Sequence, residues 1–159
     1  MIKAQKLTEK KVTALLYQKF RFDDSRGYFC LTKSSCGYSD IEDFIAFNKK
    51  HCKVIEIKLT KVDFLNDFKT KQKYLDDFQS AGFNYFYFCV PEKLQEFCLK
   101  FLEKECPKAG LIVVNSYGLK AVKRARKVSN HKLSKIERKY FFKRMSSELA
   151  NLAIKSYLK

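Results

Sequence analysis

Glu56 and Lys58 stand two positions apart in "VIEIKLT", residues 54–60, inside an otherwise apolar, β-branched run. Side chains alternate across a strand, so both charges project from one face while Ile55, Ile57 and Leu59 point from the other. The plain structural alternative is a solvated ion pair worth about 0–1 kcal/mol. Acid-x-Lys also occurs at Glu9/Lys11, Asp67/Lys69 and Glu137/Lys139, but those segments have helical spacing; only the 56/58 pair falls in a strand. The preceding apolar run, "DFIAF", opens on Asp43, which can stand beside Glu56 at one end of adjacent strands. Asp40 and Glu42 lie close by and compete for that role; Asp43 is preferred because it immediately precedes the apolar run. Two neighbouring carboxylates repel unless a cation bridges them. Mg²⁺ suits such a pair, since it binds through one or two carboxylates and keeps several waters. Two carboxylates, a lysine and Mg²⁺ or Mn²⁺ make up a phosphodiester-hydrolysis site, with Lys58 orienting the attacking water or stabilising charge on phosphate. His51 and His131 are isolated and are given no part in it.

These residues need elements to position them. Thr8 is a predicted N-cap, followed by Val12, Leu15, Leu16 and Phe20 at helical spacing. "GYFCLTKSS" and "EDFIAFN" read as strands, and an Asn-Lys-Lys-His turn leads into the strand "KVIEIKLT". Residues 61–80 read as one helix with a stripe of Leu65, Phe68, Leu75 and Phe78. "FNYFYFCVP" is an aromatic strand stopped by Pro91; its Phe/Tyr alternation reads as core rather than as a base-stacking platform. A short helix, the buried strand "GLIVVN" and the basic, edge-like strand "LKAVKRARKV" follow. From about Leu133 the chain reads as helix, with Leu133, Ile136, Tyr140, Phe141, Met145, Leu149 and Leu152 along one side. The order predicts a single α/β domain over residues 1–159 around a mixed sheet, with a core over about 7–118 and the basic strand and C-terminal helix over about 119–159.

The 159 residues carry 33 Lys and Arg against 17 Asp and Glu, a formal charge of +16. That excess favours polyanionic partners, nucleic acid foremost. No stretch reaches the roughly 18–20 apolar residues of a membrane span, so no membrane association is expected. "MIKAQKLTEKKV" has no apolar stretch of the kind a secretory signal carries, which makes cytoplasm the expected location. The six cysteines never form C-x-x-C and are expected to be reduced thiols, several packed as small hydrophobes.

Asp43 followed by Glu56-Ile57-Lys58 on the next strand, in a helix–three strands–helix–strand order, resembles the PD-(D/E)xK nuclease superfamily, which has the restriction-endonuclease-like fold. "EIKLTKVDFLNDFKTKQKYLDDF", "FYFCVP" and "AGLIVVNSYG" are similar to the MmcB family of small nuclease-like DNA-repair proteins. The match runs over residues 43–118. The resemblance implies an αβββαβ core, Asp43 and Glu56 as metal ligands with Glu9 as an additional one, and Lys58 as the catalytic lysine. It also implies that Lys69, Gln72 and Lys73 reach DNA phosphates. The chain lacks the arginine that often precedes the first aspartate and the tryptophan that often follows the helix lysine.

The expected function is metal-dependent hydrolysis of DNA phosphodiester bonds in repair or mobile-element processing. Lys120, Lys123, Arg124, Arg126 and Lys127 of the basic run would contact backbone without reading sequence. Specificity is expected from DNA structure, a homodimer or a partner protein. The rival expectation is a non-catalytic nucleic-acid-binding or inhibitor protein with the same fold. Glu56→Ala is expected to remove a metal ligand and to spare the fold.

Overall fold

Thr8 opens the first helix, α1 (Glu9–Tyr17), by accepting the Lys11 N–H at 3.3 Å. Val12 and Leu16 are buried, and a π-helical turn (Gln18–Asp23) brings Phe20 onto the same face. The structure, a computed structural model, describes residues 6–158. Three antiparallel strands follow: β1 (Phe29–Ser34), β2 (Glu42–Phe47) and β3 (Cys52–Ile57). The β2–β3 turn is tied by Asn48, whose side-chain oxygen accepts from the backbone N–H groups of Lys50 and His51 at 2.9 and 2.8 Å.

Helix α2 (Lys61–Thr70) and the single turn α3 (Gln72–Leu75) carry the chain across to β4 (Tyr85–Pro91), which runs parallel to β3. Helix α4 (Gln95–Glu105) makes the second crossover, to the parallel strand β5 (Gly110–Asn115), and β6 (Gly118–Lys123) returns antiparallel. The six strands lie in sequence order in one mixed sheet. One face packs on α2 and α4, burying Val54, Phe64, Phe86, Phe88, Cys98 and Leu102; the other packs on α1, burying Phe44, Ile55, Ile57 and Ile112. The phenylalanines of the aromatic strand, Phe86 and Phe88, are therefore core as read, whereas Tyr85 and Tyr87 are only half-buried. All six cysteines are buried free thiols.

The long helix α5 (Lys135–Tyr157) begins with a capping box between Ser134 and Glu137 and closes the β1 edge of the sheet. Arg144 donates to the Lys33 carbonyl at 3.1 Å, and Glu148 accepts from the Thr32 N–H at 3.4 Å. Phe141 is buried and Met145 packs on the core, but Ile136, Leu149 and Leu152 are exposed, so the expected stripe touches the sheet only over its middle. The helix over 61–80 is also interrupted. Lys71 leaves helical geometry (φ −92°, ψ 123°), α3 ends at Leu75, and Leu75 faces solvent. Among the described residues no helix is long and apolar enough to cross a membrane.

Candidate active site

Strands β2 and β3 pair only as far as Phe44 and Ile55. Asp43 and Glu56 are the next residues on either side of that last pair, where the ladder opens. The Ile57 N–H donates instead to the Asp43 carboxylate at 2.9 Å, a side chain taking over the role of the strand. The other oxygen of Asp43 accepts from Lys33 Nζ at 2.6 Å, and the same ammonium donates to Glu9 at 2.6 Å. Lys33 lies in the left-handed region (φ 49°), a conformation that costs a non-glycine residue about 1 kcal/mol or more and that is enriched at functional sites. Burial and the nearby Glu56 charge push the Asp43 carboxyl above its ordinary range, against the pull of Lys33 and the Ile57 N–H.

Glu56 lies behind this pair. Its side chain is 1% exposed; Oε1 accepts from Lys73 at 3.0 Å, and Oε2 lies 3.3 Å from Lys58 and 3.2 Å from Lys71. Asp67 closes the circuit, 2.8 Å from Lys58 and 3.1 Å from Lys71. Lys71 reaches both carboxylates because the chain leaves the helix at that residue. Lys73, fully buried, also donates to Glu42 at 2.6 Å, while the other Glu42 oxygen is buried without a partner. Burial and the adjoining Glu56 carboxyl push Glu42 well above the usual carboxylate range. Burial also works against ionised Glu56, but the hydrogen bond with Glu42 and the charges of Lys73, Lys71 and Lys58 hold it below that range. Glu42 is therefore the carboxyl held toward its protonated form, and Glu56 the one held toward its ionised form.

A cleft of about 340 Å³ opens at this end of the sheet, lined by Glu9, Asp43, Ile57, Lys58, Asp63 and Asp67. The carboxylate oxygens are the hard donors that Mg²⁺ or Mn²⁺ takes. Among the described residues no three Asp, Glu, His or Cys side chains converge where they could hold a metal ion. Glu9 and Asp43 fit an ion as a pair, because a cation, the ammonium of the half-exposed Lys33, already lies between their oxygens. Glu56 would join them only by giving up Lys58 and Lys71.

Of the predicted site residues, Asp43, Lys58 and Glu9 meet in the cleft and Glu56 lies beneath it. Lys69 and Gln72 are exposed on α2 and α3, but Lys73 is fully buried between Glu42 and Glu56, so it is a structural counter-ion and not a phosphate contact. Lys120, Arg124, Arg126 and Lys127 are exposed. Lys123 instead donates to the carbonyls of Pro107 and Ala109, which occupies its ammonium. Lys33 and Lys71 went unassigned in the sequence, and Glu42 stood there only as a competitor of Asp43; the i,i+4 spacing of Asp67 and Lys71 was a visible signal. The premise behind sparing the fold in Glu56→Ala, that Glu56 is no core contact, does not hold: Glu56 is buried against Lys73, and its removal is now expected to destabilise the chain.

No family model matches the chain, and no curated protein does. Its architecture is similar to a solved structure, the SPO1766 protein of unknown function from Silicibacter pomeroyi, with 19% identity, a TM-score of 0.60, and coverage of 93% of this chain and 90% of that one. A likeness at that identity concerns the fold alone.

Proposed function

We propose that this chain is a metal-dependent DNA nuclease of the PD-(D/E)xK type, with a restriction-endonuclease-like core and a resemblance to the MmcB family. The reading rests on one observation: Glu9, Asp43 and Lys58 share a cleft at the point where β2 and β3 part, with ionised Glu56 under the lysine. Mg²⁺ or Mn²⁺ held by Asp43 and Glu9, with Glu56 behind them, would supply Lewis-acid activation of phosphate and water. Lys58 presents an ammonium to the developing phosphate charge. Glu56 and Asp67 hold that ammonium in position. The Ile57 N–H fixes the Asp43 carboxylate at the mouth.

A second reading, a non-catalytic nucleic-acid binder with this fold, is favoured by the lysines already bonded to four carboxylates at this end of the sheet: Lys33 on Glu9 and Asp43, Lys58 and Lys71 on Glu56 and Asp67.

The deciding experiment incubates the purified chain with plasmid, single-stranded and branched DNA in Mg²⁺, Mn²⁺ or EDTA. Lys58→Ala and Asp43→Asn are run alongside, because both side chains line the cleft and neither is the counter-ion of a fully buried lysine. Metal-dependent cutting that falls at least a hundredfold in both variants supports the nuclease. Binding without cutting in every condition transfers the assignment to the binder.

A further inference from the structure

Lys53, the second residue of β3, is a buried charge without an opposite. The residue is 7% exposed, and among the described residues its ammonium has neither an ion-pair nor a hydrogen-bond partner. Its ammonium lies among rings instead, 5.4 Å from the centroid of Phe20, 4.8 Å from Tyr28 and 5.9 Å from Tyr85. Ring faces offset only part of what a cation loses on leaving water. Lys73, the other lysine buried to this degree, has two carboxylates.

The ammonium of Lys53 faces a cavity of about 570 Å³, a volume that suits a small ligand. The same cavity is lined by Lys19, Arg26 and Arg124, by His51, and by Tyr85 and Tyr87. One carboxylate, Asp24, faces it, and Arg26 already holds that group through two bonds of 2.8 and 2.6 Å. The hydroxyl of Tyr28 is buried nearby without a partner. Several cations around one pocket, with one buried and unpaired, make a site for a compact anion.

We propose that this pocket binds a phosphate monoester of nucleotide size, its phosphoryl group on Lys53, Arg26 and Arg124 and its base against Tyr85 and Tyr87. The pocket is separate from the cleft. Lys53 leaves β3 on the α1 face and Glu56 on the other, and three strand residues span about 10 Å. Binding there stands whether or not the cleft hydrolyses DNA. The phosphoryl group belongs either to a free mononucleotide or to the 5′ end of a strand.

Titration calorimetry in EDTA tests this with deoxyadenosine, its 5′-monophosphate, and a short single-stranded oligonucleotide carrying a 5′-phosphate or a 5′-hydroxyl. The wild-type chain is expected to bind a phosphorylated form at least tenfold more tightly than its unphosphorylated counterpart. Lys53→Met and the exposed Arg124→Glu are expected to lose that preference, whereas Lys139→Glu, outside the pocket, keeps it. The melting temperature of Lys53→Met should rise at pH 7, which separates lost binding from lost folding. A preference for the monophosphate alone assigns a free nucleotide; a preference with both ligands assigns a strand end as well. Equal affinity for phosphorylated and unphosphorylated forms, or a preference undiminished in both pocket variants, overturns the proposal.

Discussion

Lys73 and Lys53 are both buried lysines, and their surroundings set opposite consequences for removing them. Lys73 donates to Glu42 and Glu56 at 2.6 and 3.0 Å with no access to water. Breaking a buried ion pair from one side is far more costly than the pair itself is worth. Lys73→Met is therefore expected to destabilise the chain by about 3–5 kcal/mol in denaturant titration, whereas Lys69→Ala, at an exposed position, should change stability little. Lys53 has no such partner, and burial, with help from Arg26, lowers it to about 8. The folded chain thus binds fewer protons than the unfolded one between pH 8 and the ordinary lysine value, so this group's contribution to stability rises with pH across that window. Below pH 8 its cost is fully present. Lys53→Met should then stabilise the chain by on the order of 2 kcal/mol at pH 7, a gain that shrinks toward pH 10.5. The groups facing Lys53 are Lys19, Asp24, Arg26, Tyr28, His51, Tyr85, Tyr87 and Arg124, and of these Asp24 and His51 feel its charge directly.

At the scale of elements, the site depends on places where regular structure ends. The β2–β3 ladder stops one residue short of Asp43 and Glu56, and α2 gives way to extended backbone at Lys71. Each break turns a charged side chain inward that would otherwise continue a strand edge or a helix face. Periodicity finds the elements well, because burial repeats every two or about 3.6 residues along them. It does not find their interruptions, which is why residues 61–80 read as one helix and why Lys73 was taken for a surface cation. Helix α5 has a different weakness. It is anchored through Phe141, Met145, Arg144 and Glu148, and its first turn is held by Ser134, which accepts the Glu137 N–H at 3.1 Å, while the Glu137 carboxylate accepts the Ser134 N–H at 2.7 Å and meets His131 at 2.9 Å. Ser134→Ala is expected to cost about 1 kcal/mol. Because α5 covers the β1 edge, hydrogen exchange at Thr32 should speed up in that variant more than exchange at Val54 in the sheet interior.

Across the whole molecule, the +16 charge sets long-range behaviour and the fold decides which cations remain free. Lys120, Arg126 and Lys127 are exposed on one stretch of chain, whereas Lys33, Lys58, Lys71, Lys73 and Lys123 are engaged internally. On the proposed nucleic-acid partner, the logarithm of affinity should fall linearly with the logarithm of salt concentration. Each of Lys120→Glu, Arg126→Glu and Lys127→Glu should reduce the steepness by about 0.7–0.9 if its side chain contacts a phosphate. Fluorescence anisotropy over a salt series measures this directly. Lys123→Gln, whose ammonium already bonds Pro107 and Ala109, should leave the slope unchanged.

The sequence by itself determined the alternation that puts Glu56 on the face opposite Ile55 and Ile57, the α/β order of elements, the placement of Asp43 at the start of its strand, and the excess of positive charge. All of these follow from local spacing or from composition, which no neighbour can change. Only the tertiary structure decided which charges meet. Lys33 with Glu9 and Asp43, Lys73 with Glu42 and Glu56, and Lys53 with no carboxylate depend on contacts between residues up to 31 positions apart, or on their absence. In a chain with 33 cationic side chains, spacing alone cannot choose among so many candidates. Burial chooses, because a charge removed from water must find a partner, lose its proton or keep a place for a ligand.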